Sequence, residues 1–132
     1  MHKQFINADT IHVPRGYTHV VALTGGRMLF VSGQVAIDKE GQIVGRGDLK
    51  AQVRKATENL AAALKGAGAS IADIIKMNTY VVNYKQDDYR AISEVRREFF
   101  AKENPPASTL IGVAALAVEG LMVEIEAVAA LA

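Results

Sequence analysis

An α+β fold, in the order β-β-β-α-β-α-β-β with two helices on one face of a mixed six-stranded sheet, is predicted by three features of this sequence. Runs rich in β-branched and aromatic residues stand on both sides of two stretches whose apolar residues recur at helical spacing. Glycine, proline and aspartate fall at nearly every junction between these runs. The chain has 132 residues, half of them hydrophobic, which suits one domain over residues 1–132 with a real core.

The elements follow in order. Gln4–Asn7 is a short first strand and Thr18–Leu23 a second. Thr24-Gly25-Gly26 reads as a turn, because glycine accepts positive φ. Arg27–Val35 then returns as a third strand, making a hairpin with the second. Asp38–Gln42 is a polar turn. Asp48 suits the N-cap of a helix running to about Ala67, with Leu49, Val53, Ala56, Leu60, Ala63, Leu64 and Ala67 on its apolar side and Gly66 and Gly68 to end it. Asp73–Val82 is a strand. Asp87 or Asp88 opens a second helix through Phe100, with Tyr89, Ile92, Val95 and Phe99 on one stripe. Asn104-Pro105-Pro106 ends it, since proline lacks the backbone donor and restricts its predecessor. Ser108–Leu116 and Leu121–Leu131 are the last strands.

Two helices cover one sheet face, and the chain holds nothing more for the other. A sheet with one wet face should alternate cleanly. Val20-Val21-Ala22-Leu23, Met28-Leu29-Phe30-Val31 and Leu110-Ile111 are instead apolar on both sides. This predicts a homo-oligomer in which sheet faces cover one another. The same logic bears on Val123-Glu124-Ile125-Glu126-Ala127. Residues two apart share a face, so Val123, Ile125 and Ala127 face the helices while Glu124 and Glu126 point to the second face. A carboxylate there is at a rim, in a structural ion pair, or working in a water-filled cleft.

Composition excludes several classes. The chain has no cysteine, which rules out disulfides, thiolate nucleophiles and cysteine–zinc sites. A net charge of +1 gives no footprint for nucleic acid or an anionic membrane. The opening MHKQFINADT shows no apolar signal region, and no apolar run reaches the roughly 18 residues of a membrane span, so a cytoplasmic protein is expected. His2, His12 and His19 lack metal-ligand spacing. Arg96 and Arg97 read as a solvated helix face. Polar groups that stand out are Tyr17 after Gly16, Ser32-Gly33-Gln34 ending an apolar strand, and Ser108-Thr109 after the double proline; strand ends at a subunit seam are where small-ligand clefts form.

Taken together, Gly16-Tyr17, FVSGQV, AALKGAGAS, DIIKMNTYV, FFAKENPPAS and VEIEAVA resemble the RidA/YjgF family of reactive-intermediate deaminases, also called the endoribonuclease L-PSP family, from about Ile6 to Ala130. The resemblance implies a chorismate-mutase-like fold and a homotrimer with a small-metabolite cleft at each subunit interface. It implies a cofactor-independent hydrolysis of 2-imino or 2-enamino acids to 2-keto acids and ammonia. It places Tyr17 as the cleft tyrosine, Ser32 and Gly33 at the cleft's strand end, and Glu124 as the carboxylate that activates water, with Glu126 structural. The sequence also departs from the family. Ser108 stands where active deaminases carry the arginine that grips the substrate carboxylate, Leu110 where cysteine is frequent, and Ser93 where a cleft asparagine lies. Arg15 and Arg27 are the other arginines considered for that cleft. Two functions therefore stand close together: a hydrolytic deaminase, slightly ahead, and a trimer that binds a small metabolite without turnover. Endoribonuclease activity ranks third.

Overall fold

The computed structural model describes residues 1–132. The strands are β1 (His2–Ile6), β2 (Val20–Thr24), β3 (Arg27–Val35), β4 (Ile74–Val82), β5 (Ala107–Val113) and β6 (Val123–Leu131). The helices are α1 (Leu49–Gly66) and α2 (Asp88–Phe99), with one 3-10 turn at Ile71–Asp73 before β4. Asp48 caps α1 as its sequence suggests: its side chain accepts from the Ala51 N–H at 3.1 Å. No helix is long and apolar enough to cross a membrane.

The six strands form two sheets rather than one. Four of them run in the order β3-β6-β4-β5, with β4 and β5 parallel and the other pairs antiparallel. The remaining two, β1 and β2, pair only with each other. The expected β2–β3 hairpin is thus absent, although Gly25 and Gly26 do turn the chain at positive φ of 70° and 86°. Thr18 supplies the reason. Its N–H donates to the Pro106 carbonyl at 3.1 Å and its hydroxyl to the Pro105 carbonyl at 2.6 Å. Those prolines lead into β5, at the opposite edge of the sheet from β3. The chain must cover three strand spacings, about 14 Å, between Thr18 and β3. It does so across the end of the sheet instead of along its edge. At Gly26 it passes so close to the end of β6 that a Cβ would lie 2.6 Å from the Leu131 carbonyl oxygen. As a result β3 keeps a free outer edge.

The core lies between the four-stranded sheet and the helices. Val53, Ala56, Leu60 and Leu64 of α1 and Ile92 and Val95 of α2 meet Met77 and Val81 of β4 and Val123, Ile125, Ala127 and Ala129 of β6. Lys50–Glu94 (2.7 Å) and Arg54–Glu98 (2.8 Å) tie α1 to α2 across their outer surfaces. The opposite sheet face has no element over it. Phe30 is 77% exposed there, and Met28 and Ile111 are also exposed.

Candidate functional site

The open face carries a polar row among these apolar residues. Tyr80 lies opposite Glu124 and Asn78 opposite Glu126 on neighbouring strands. The Tyr80 hydroxyl and the Asn78 amide both donate to the Glu126 carboxylate. That bond to Glu126, aided by desolvation, raises the Tyr80 pKa above 10.0. Glu126 is therefore occupied. Glu124, two residues away, makes no hydrogen bond or ion pair within the protomer. Its side chain lies on Gly33, where a Cβ would come within 2.6 Å of the Glu124 Cδ and 2.9 Å of Oε2. The ladder between β3 and β6 slips at this point, between Val31 and Gln34. Such a bulge re-aims side chains, and here it leaves Ser32 and Gly33 exposed beside the carboxylate. A hollow of about 240 Å³ opens next to them, lined by Phe30, Ser32, Lys76, Asn78, Glu126 and Val128 among others.

The other sequence-selected residues lie elsewhere. Ser108 and Leu110 sit on β5, where Ser108 is opposite the buried Met77, so both turn toward the helices. The Ser108 register is three residues from that of Glu124 along β4, about 10 Å, and on the opposite face. Tyr17 is half-buried in a small cluster: its hydroxyl and His12 Nε2 share a hydrogen bond of 2.5 Å, and the His12 and His19 rings meet edge to face at 5.3 Å. The His19 Nδ1 accepts from the Ala8 N–H at 3.2 Å. Ser93 is half-buried on α2. One protomer thus brings Ser32, Gly33 and Glu124 together and holds Tyr17, Ser108, Leu110 and Ser93 apart from them. No group of three histidine, aspartate or glutamate side chains is placed to share a metal ion.

Of the arginines, Arg96 needs correction. Arg15 and Arg27 are exposed, and neither makes an ion pair. Arg96, read as part of a solvated face, is instead turned inward. Its Nη1 donates to Ser108 Oγ at 3.3 Å and its Nη2 to the Gly16 carbonyl at 3.4 Å. The guanidinium also touches Met77 Sδ at 3.5 Å and stands 5.4 Å from the Phe100 ring centre. Burial pulls its pKa below the usual arginine value. A signal for this was present: Arg96 falls four residues after Ile92 and three before Phe99, on the inward stripe of its own helix.

Comparison with known proteins identifies the family. The profile of the endoribonuclease L-PSP family matches residues 8–131. The chain belongs to that family, the RidA/YjgF group. Among solved structures, the Rid-family protein YyfB from Yersinia pestis superposes with a TM-score of 0.92 at 40% identity, covering 99% of this chain and 100% of that one. Escherichia coli TdcF, solved with bound serine, gives a TM-score of 0.70 at 33% identity, covering 92% and 91%. The 2-iminobutanoate/2-iminopropanoate deaminase of Dermatophagoides farinae is 30% identical over 96% of this chain and 94% of its own. At comparable coverage, this Rid-family member follows the YyfB backbone more closely than that of TdcF.

Proposed function

We propose that this Rid-family protein is a homotrimeric, cofactor-independent hydrolase that converts small 2-imino or 2-enamino acids into 2-keto acids and ammonia. One observation carries the reading: the Glu124 carboxylate, seated on Gly33 beside Ser32 and engaged by no other group of its protomer. A carboxylate so placed is available to take a proton from water. The water oxygen adds to the imine carbon, the C=N π pair moves to nitrogen, and nitrogen takes up the proton. The carbinolamine hydroxyl proton then passes to nitrogen as the C–N bond breaks, releasing ammonia and leaving the ketone, so each turnover consumes one water; a 2-enamino acid enters the same route after a proton adds to its β-carbon. The names of the mite deaminase and of TdcF with bound serine favour a small ligand of amino-acid type.

Assembly completes the reading. Phe30, Met28 and Ile111 on the uncovered face are the apolar surface that a subunit interface would bury. In the trimer the Glu124–Gly33–Ser32 half of one subunit faces the Tyr17, Ser93, Ser108 and Leu110 half of its neighbour, with the ligand in the seam. Binding without turnover is the second reading. It is favoured by Ser108, whose single hydroxyl cannot offer the bidentate grip of a guanidinium.

The test generates 2-imino acids with an amino-acid oxidase and traps them as semicarbazones. The wild-type protein should remove imine before trapping, and Glu124→Ala should slow this by about 100-fold or more. Equal behaviour of wild type and variant on every imine would remove the hydrolase reading and leave the binding one.

A further inference from the structure

The Arg96 guanidinium is a largely buried cation without a counter-ion. The chain has two close ion pairs, and they take up the nearest acidic residues of the same helix, Glu94 with Lys50 and Glu98 with Arg54. What Arg96 has instead is neutral: a hydroxyl, a carbonyl, a thioether and an aromatic ring. The three donor–acceptor distances are 3.3, 3.4 and 3.5 Å, all longer than a well-formed charged hydrogen bond. A buried charge held this loosely is unstable unless an opposite charge joins it.

The surroundings leave room for that partner. Arg96 is only partly covered, and Gly16 beside it is exposed. A Cβ built on Gly16 would meet nothing within 4 Å, so its Cα borders open space. Ser108 adds a hydroxyl that can turn and donate to an anion. A planar guanidinium bonded to a serine hydroxyl, with no other charge beside it, suits a carboxylate, which can accept two parallel N–H bonds from the fork and a third from serine.

We infer that Arg96, from α2, together with Ser108, from β5, binds the carboxylate group of a small ligand. The inference deepens the proposed function, since the substrates named there are carboxylates. It also gives Ser108 a physical role: a second arginine at that position would set two like charges side by side. The cation is delivered by the helix and the strand supplies only a hydroxyl.

Equilibrium binding of 2-oxobutanoate separates this inference from turnover, because the probe has no imine to hydrolyse. Isothermal titration calorimetry on the full chain should show wild type binding it at least about 30-fold more tightly than Arg96→Gln. Arg96→Lys should fall between them, since it keeps the charge without the fork, and Ser108→Ala should weaken binding a few-fold. 2-Butanone, which lacks the carboxylate, should not distinguish wild type from Arg96→Gln. Arg96→Gln should also melt no lower than wild type without ligand, because removing an unpaired buried charge relieves a cost. A lower melting temperature together with unchanged 2-oxobutanoate affinity would assign Arg96 a structural role and overturn the inference, as would 2-oxobutanoate binding that ignores both Arg96→Lys and Ser108→Ala. Imine hydrolysis by wild type alongside such a result would leave the hydrolase reading intact. Tight Arg96-dependent binding without hydrolysis would do the reverse.

Discussion

The two faces of β6 share one backbone and differ in everything above it. Val123, Ile125, Ala127 and Ala129 are buried under the helices, while Glu124, Glu126 and Val128, each one residue along, have no element over them. The helix face is complete within one chain and supports its stability. On the open face Glu126 is engaged by Tyr80 and Asn78, but Glu124 and the exposed Phe30 find no partner within the chain. Arg96 is the exception on the helix side: a charged group built into the packed layer with no partner there.

The sharpest way to break the comparison is in the core. Leu60 is fully buried, and Leu60→Ala should cost about 2–5 kcal/mol in denaturant unfolding. A loss below about 1 kcal/mol would mean that the helix face is not the seat of stability. Next comes Gly33→Ala. Its new Cβ would push the Glu124 carboxylate aside, so imine hydrolysis should fall by about 100-fold, the penalty of a misplaced group. Its protomer fold should remain intact by circular dichroism. If the proposed trimer forms, light scattering should give wild type three times 14.2 kDa, and Phe30→Ser should keep its secondary structure but move toward the protomer value. An unchanged mass would separate the open face from assembly.

The smallest effect belongs to the helix–helix ion pairs. Lys50 and Arg54 hold the Glu94 and Glu98 carboxyls below their ordinary value of 4.5, chiefly by hydrogen bonding. A carboxylate whose folded pKa is depressed stabilises the fold above its unfolded pKa, and that contribution fades as pH falls through the folded value. Both pairs are well exposed, so screening keeps them weak. The melting temperature of wild type should exceed that of Lys50→Gln/Arg54→Gln slightly at pH 6, and the gap should close toward pH 3.

Local patterns revealed most of the elements. The β3 strand occupies the residues its apolar run suggests, and Asp48 caps α1 where a helix start was read. Alternation in β6 correctly assigned Val123, Ile125 and Ala127 to one face and both glutamates to the other. What sequence could not supply was long-range. The Gly25-Gly26 turn has the chemistry of a hairpin, yet Thr18 is held by carbonyls 87 and 88 residues away, and those bonds decide where β2 goes. Arg96 likewise looked solvated because its partners come from β5 and the segment before β2. The candidate site was legible as a set of residue types, but the separation of Glu124 from Ser108 onto opposite faces depends on strand register.

The unpaired outer edge of β3 has a consequence for the making of the protein. A freshly completed chain presents nine residues of open strand, Phe30 among them. Such edges attract other strands without discrimination. Yield in a host cell should therefore depend on synthesis rate in both directions: too slow leaves lone chains waiting, and too fast crowds them before they have folded. A lysine at position 30 would protect the solitary chain and, in the same step, oppose the assembly proposed above.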